Sequence, residues 1–472
     1  MFGDILRSTF PFIGIFLSGC ALHEIEAPPP AVPPIFAAQS ASSEQGWPSK
    51  DWYTGFESAE LQQLIKEATS GNLDIRIARS RVLQADARAR QAGAAILPSV
   101  DLNTVGNYLA GHSHSGNAHE TDWSVLLSTS YEVDFWGKNR AVARSASASA
   151  AAALADHDSV ALISLAAIAD AYFQILSLRE RMSIAVSNRD AAKKLLDIIQ
   201  ARFDVGMGNP VDLAIQKSTL ATAELVVPEL QQQESEALAA LALLLGREPE
   251  HFSIEGRSLA VVAEPEVASG LPSQLLMRRP DLFMAEANLR AANADVVVAR
   301  TALLPSLTLS ASGGVQNPAL NAAIRTLTGV GPTLNLGARL VQPIFDGGRL
   351  RAVRAEAEAK DEELILAYRA AILAAVRDVE NALNALRHLK DMQSQQEENL
   401  AQSERAFEGV SLRYQQGSGD ILTVLEAQHM LYAARDQYSQ YKLARLQALV
   451  MLCKALGGGW QAPILSRLKD IR

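Results

Sequence analysis

Cysteine is nearly missing from this chain: Cys20 and Cys453 are the only two in 472 residues. Two cysteines so placed build no disulfide framework. Long apolar runs are missing too. Beyond Cys20 no stretch reaches the ~18 consecutive apolar residues of a membrane-spanning helix. Val160 to Ala169 is apolar but short and alanine-rich, which suits helix packing. Any membrane crossing therefore falls to β-strands. The chain also has no basic patch. Its net charge is −9, with acidic and basic residues interleaved, which removes the electrostatic footprint of nucleic-acid binding. Catalytic motifs are absent: there is no His-Glu-x-x-His, no Walker loop and no Gly-x-Ser-x-Gly. Gly206-x-Gly208 and Gly329-x-Gly331 each lack the third glycine of a dinucleotide fingerprint and follow no β-α pattern. Neither an enzyme nor a cofactor is expected.

The chain contains itself twice. Arg202-Phe203, Gly206 and Asn209-Pro210 recur as Arg413-Tyr414, Gly417 and Gly419-Asp420. Leu97-Pro98-Ser99 recurs as Leu304-Pro305-Ser306, and Gly246 recurs as Gly457. A repeat of this size marks a duplicated structural unit. The predicted divisions are a signal segment 1–19, an N-terminal segment 20–58, a first repeat 59–246, a linker 247–272, a second repeat 273–457 and a tail 458–472. The N-terminal segment, linker and tail could together form a collar.

The N-terminus has a thin basic region at Arg7 and a short apolar core, Phe10 to Leu17, which fits a signal peptide. It ends in Leu17-Ser18-Gly19-Cys20, which resembles the bacterial lipobox. That resemblance implies a covalent lipid on Cys20. Ala21 follows rather than the aspartate that favours inner-membrane retention, so the implied destination is the outer membrane.

Each repeat carries a hairpin, predicted at 99–136 and 305–345. Trp123, Val125, Leu127, Thr129, Tyr131, Val133 and Phe135 alternate with mostly polar residues, a period of two with one apolar face. Val100, Leu102 and Tyr108 mark a partner strand. Leu307, Leu309, Ala311 and Val315, then Leu334, Leu336, Ala338 and Leu340, repeat the pattern. A soluble sheet packed on helices and a transmembrane barrel both fit this alternation. Barrel strands of about 9–11 residues, apolar outside and polar inside, match it in detail, with Tyr108, Trp123, Tyr131 and Trp136 as interfacial aromatics. Four strands cannot close, and open edges cannot sit in lipid. The barrel reading therefore requires further copies: two give about eight strands, three about twelve.

Lys138 to Arg202 and Leu350 to Arg413 read as proline-free helices of roughly 65 residues, about 95 Å each at 1.5 Å per residue. Helices predicted at Glu60 to Ala95 and Gln274 to Leu303 precede the hairpins. Returning helices at Val211 to Leu245 and Ile421 to Leu456 follow the turns. Gly206, Gly208, Asn209 and Pro210 read as a helix stop, an Asn cap and a proline at the first helical position. Gly417, Gly419 and Asp420 read as a stop followed by an Asp cap. His112, His114 and His119, with Glu120 and Asp122, fall in the predicted loop of the first hairpin. They read as a polar loop, or as a weak metal site. Cys453 lies in an apolar helical run and reads as a packed thiol.

Several segments together resemble the TolC-like outer-membrane efflux channels, most closely the lipoprotein branch that serves resistance-nodulation-division pumps. They are Leu17-Ser-Gly-Cys20, Tyr131-Glu-Val-Asp-Phe-Trp-Gly137, Arg279-Pro280-Asp281, Pro343-Ile-Phe-Asp-Gly-Gly-Arg349 and Lys454-Ala-Leu-Gly-Gly-Gly-Trp460. The resemblance spans nearly the whole mature chain. It implies an α+β membrane protein, a homotrimer whose transmembrane β-barrel of about twelve strands continues into a long α-helical periplasmic tunnel. It also implies an open conduit fed by a periplasmic adaptor and an inner-membrane pump, with the turns at Gly206 to Pro210 and Gly417 to Asp420 as the contact tips. The family closes its periplasmic end on the last returning helix. The matching face here is Leu422, Glu426 and His429, spaced i, i+4, i+7, with Glu426 and His429 standing where the family commonly has aspartate and arginine. Drug or toxic-compound efflux, metal-ion efflux and protein secretion all fit such a conduit. A non-conducting structural lipoprotein is the alternative of a different class, one that has no need of polar strand faces.

Overall fold

The computed structural model describes residues 36–37, 47–113, 116–267, 272–316 and 331–461. Cys20, the segment 1–19, most of 20–58, His114 and the tail from residue 462 lie outside the described residues. The first half runs α1 (Ala59–Gly71), α2 (Leu73–Ala94), β1 (Ser99–Ser113), β2 (Gly116–Val133), α3 (Lys138–Asp204) and α4 (Pro210–Leu245). The second half repeats that order as α5 (Leu275–Arg278), α6 (Pro280–Thr301), β3 (Ser306–Gln316), β4 (Gly331–Val341), α7 (Arg349–Gln415) and α8 (Ile421–Ala455). The two long helices have 67 residues each. Alanine, leucine and charged straight-chain residues sustain them at low propensity cost.

The helices predicted before each hairpin are not continuous. Each is two helices, and the break has a local cause. At Asn72 the chain leaves helical geometry (φ −60°, ψ 126°). The Asn72 carboxamide accepts from the Ile75 amide at 3.0 Å, capping α2, and donates to the Leu244 carbonyl at 2.6 Å. At Arg279 the chain is extended (φ −108°, ψ 123°), because the ring of Pro280 excludes helical geometry from the residue before it. Both breaks receive the end of a returning helix. A Cβ on Gly246 would lie 2.3 Å from the Gly71 carbonyl oxygen, and one on Gly457 would lie 1.9 Å from that of Arg278. Both glycines have positive φ, 73° and 88°. These joints are repeat equivalents: Asn72 to Arg279 is 207 positions and Gly246 to Gly457 is 211.

The chain divides into two compact units. One comprises residues 91–145 and 290–365. Its four-stranded antiparallel sheet has the order β1-β2-β3-β4. Leu102, Leu127, Gly313 and Leu334 are successive register partners, as are Val100, Thr129, Ala311 and Leu336. The row between them, Asp101, Ser128, Ser312 and Asn335, faces the other way. One apolar face thus crosses all four strands, backed by one polar face. The corners from sheet to long helix are also duplicated. The Asp134 carboxylate accepts from the Asn139 and Arg140 amides, both at 3.0 Å. The Asp346 carboxylate accepts from the Gly348 and Leu350 amides at 3.0 and 2.8 Å. The Trp136 indole donates to the Pro305 carbonyl at 2.7 Å, tying the two halves together.

The other unit comprises residues 30–90, 146–289 and 366–472, of which the described parts are mainly helical. Phe56, Leu61, Ile65, Phe173, Leu176, Leu241, Leu245 and Leu446 are core residues at 0–1% exposure. Parts of the expected collar pack on this core. The Ala263 amide donates to the Phe56 carbonyl at 3.0 Å. Arg179 donates to the Ile254 carbonyl at 2.8 Å, and the Glu180 carboxylate accepts from the Ser258 hydroxyl at 2.6 Å and the Leu259 amide at 3.1 Å.

Candidate functional site

Two features stand out on the molecule: the sheet and the helix turns. On the sheet the apolar face has no cover among the described residues. Leu102, Leu334, Leu336 and Leu340 are 69–77% exposed, and Val100, Tyr108 and Leu127 are exposed beside them. The reverse face carries Ser99, Ser128, Ser130, Ser310 and Ser312 with Asn103 and Asn335. The Asn103 amide donates to the Ser128 hydroxyl at 2.6 Å. The edges, β1 and β4, pair with no other strand among the described residues. An exposed apolar face with long unpaired edges is untenable in water as a finished surface. It becomes stable when lipid covers the face and more strands cover the edges.

The α3–α4 and α7–α8 turns are built alike. Gly206 and Gly417 have φ of 76° and 79°. Their amides donate to the Phe203 and Tyr414 carbonyls at 2.9 and 3.0 Å, and the Met207 and Ser418 amides donate to the Arg202 and Arg413 carbonyls at 2.9 and 3.0 Å. This pattern ends a helix by satisfying its orphan carbonyls. Gly208 and Gly419 come so near the helix that a Cβ would lie 2.7 Å from Phe203 Cα or 2.8 Å from the Tyr414 nitrogen. Asn209 then caps α4 through the Val211 amide at 3.0 Å, with Pro210 opening the helix, and Asp420 caps α8 through the Leu422 amide at 3.4 Å. Beneath the turns Ile199, Leu213, Tyr414, Ile421 and Val424 form a small core. The Arg202 guanidinium lies 4.4 Å from the centre of the Tyr414 ring.

Leu422, Glu426 and His429 share the exposed face of α8, while Ile421, Val424, Ala427, Gln428 and Leu431 are buried on the other. No hydrogen bond joins Glu426 to His429 among the described residues. Below this face Arg181 of α3 holds Asp436 of α8 by two bonds of 2.6 and 3.3 Å. The Tyr432 hydroxyl donates to the Asn188 carbonyl at 3.2 Å. Nothing in the sequence singled out these ties, since each joins residues far apart in the chain.

The predicted histidine loop is corrected by the register. His112 and His119 lie in β1 and β2 rather than in a loop, and His114 is outside the described residues. His112 and His119 fall on one alternation of the sheet, Glu120 and Asp122 on the other. Among the described residues no group of metal-ligand side chains gathers. Cys453 is buried, and burial pushes its thiol up to about 12, which makes it an inert core residue.

The family described as outer membrane efflux protein matches residues 64–247 and 271–458, the two repeats. The chain belongs to this family. The pyoverdine export outer membrane protein OpmQ of Pseudomonas aeruginosa is 43% identical over 88% of each chain. Its namesake from Pseudomonas putida is 40% identical over 92% of this chain and 93% of its own. The solved outer-membrane channel OprN superposes with a TM-score of 0.84 at 26% identity, covering 92% of this chain and 98% of that one. The chain is the outer-membrane channel component of an efflux system. It resides in the outer membrane, and its helices extend into the periplasm.

Proposed function

We propose that three copies of this chain close a barrel of twelve strands, three times four, whose helices continue as a periplasmic tunnel for an exported small molecule. One observation carries the reading: a single apolar face runs unbroken over four strands and ends in two unpaired edges. The turns at Gly206 to Pro210 and Gly417 to Asp420 are the tips that meet a periplasmic adaptor and an inner-membrane pump. Cys20 carries a covalent lipid as a second anchor. Labelling with a palmitate analogue marks the wild type and not Cys20→Ser; label that survives the substitution removes this anchor. The similarity to two pyoverdine export proteins supports a cargo of the pyoverdine kind. Deleting the gene tests this, because such a compound then stays inside the cell, and unchanged export names another cargo.

Leu422, Glu426 and His429 form the closing ring when three copies converge. Leucines exclude water and ions there. Glutamates attract cations there. The resting channel is therefore a low-conductance, cation-preferring pore. In planar bilayers Leu422→Ser raises conductance and Glu426→Gln weakens cation preference. An intact Leu422→Ser trimer that conducts no better than wild type moves the constriction elsewhere.

A further inference from the structure

The two free edges of the sheet carry opposite charges near the same end: Asp101 is two residues from the start of β1 and Arg339 two residues from the end of β4. Among the described side chains, β1 has one charged residue, Asp101, and β4 has one, Arg339; β3 has none. On β2 the one charged residue among the described side chains, Glu132, is held by Lys138 at 2.9 Å. Asp101 and Arg339 are both exposed, and neither has a side-chain partner among the described residues. Both lie on the polar face, at the end of the sheet where the strands join the helices.

Closing a barrel lays β4 of one copy antiparallel to β1 of a second. Alternation restricts how they meet. Leu334, Leu336, Ala338 and Leu340 share the apolar face with Val100, Leu102 and Thr104. Only pairings that place even-numbered positions opposite even-numbered ones keep that face continuous, and a one-residue slip would send either Asp101 or Arg339 into lipid. Within that parity, meeting flush at the strand ends sets Val341 against Ser99 and Arg339 against Asp101. A slip of two residues either way leaves the charges as diagonal neighbours, within reach of an arginine.

We infer that Arg339 of one copy pairs with Asp101 of a second copy across each barrel seam, and that this inward-facing ion pair fixes the register of assembly. The inference rests on the trimeric reading above. The pair is wet and individually weak. Its value is discrimination: seams slipped by four residues or more leave an unmatched arginine and aspartate facing the lumen.

The test uses the full chain in outer membranes. Asp101→Arg and Arg339→Asp alone each lower the yield of SDS-resistant trimer severalfold, and the double swap restores it. Paired Asp101→Cys and Arg339→Cys substitutions link copies covalently on oxidation, whereas Asp101→Cys with Thr333→Cys does not; native Cys453 is buried and does not compete. A wild-type trimer whose double swap is no better than the two single changes combined, or that cross-links through Thr333→Cys instead, overturns the pair and leaves the trimer standing. A wild type that forms no oligomer overturns both.

Discussion

Asp170 sits at the end of the apolar stretch of α3 with one carboxylate oxygen buried and unbonded. Burial raises its pKa from 3.8 to about 6, against a smaller opposing pull from Lys454. The carboxyl thus holds its proton more tightly in the folded chain than in the unfolded one. It costs nothing below pH 3.8, the cost grows as the pH climbs through about 6, and above that it is paid in full. Allowing for partial contact with water, the full cost is about 2 kcal/mol. Asp170→Asn should therefore raise the thermal midpoint at pH about 7.5 and leave it nearly unchanged at pH about 4. Equal midpoint differences at the two pH values would refute the assignment. Residues of this kind are hard to read in a sequence. An aspartate on a long helix looks solvated until the partner helices are placed.

At the level of elements, the duplicated joints organise the helical unit. Arg279 is the better-tied of the two breaks. Its guanidinium holds Asp281 by bonds of 3.0 and 2.7 Å, donates to the Ala455 carbonyl at 3.0 Å and lies 3.5 Å from Asp378. Its side chain is largely buried, and the two aspartates offset the cost of burial. Arg279→Ala takes one donor from each carboxylate and from the α8 terminus, a loss of about 1–3 kcal/mol. Arg377→Ala, which removes an exposed neighbour of Asp378, should change stability by less than about 0.5 kcal/mol. Thermal unfolding of the two variants side by side checks the contrast, and similar midpoints would mean that the joint is not held here. Much of the element order was legible before the structure. Proline-free alanine-rich runs, Asn209-Pro210 and Asp420 gave the long helices and their turns, and period-two alternation gave all four strands. The breaks are less legible. Pro280 signalled one, through its effect on Arg279, but Asn72 looks like an ordinary helical residue until Leu244 is there to receive its amide. The face of Leu422, Glu426 and His429 was picked out by the resemblance to the efflux channels and agrees with its i, i+4, i+7 spacing, whereas the ties behind it, Arg181 to Asp436 and Tyr432 to Asn188, depend on which helices meet.

For the whole molecule the central claim is that this sheet is one part of a transmembrane barrel. Leu127 and Ser128 are adjacent in β2 and face opposite ways, Leu127 in the row of Leu102 and Leu334, Ser128 in the row of Asp101 and Asn335. An arginine at each position interrogates the two faces with the same charge and the same size. The decisive measurement is the yield of SDS-resistant trimer recovered from outer membranes carrying Leu127→Arg or Ser128→Arg. Leu127→Arg should lose assembly by the equivalent of about 2–4 kcal/mol if it lies near the bilayer midplane. Ser128→Arg should assemble like wild type and alter conductance. Equal tolerance of both substitutions would contradict a lipid-facing surface on this sheet, and with it the barrel.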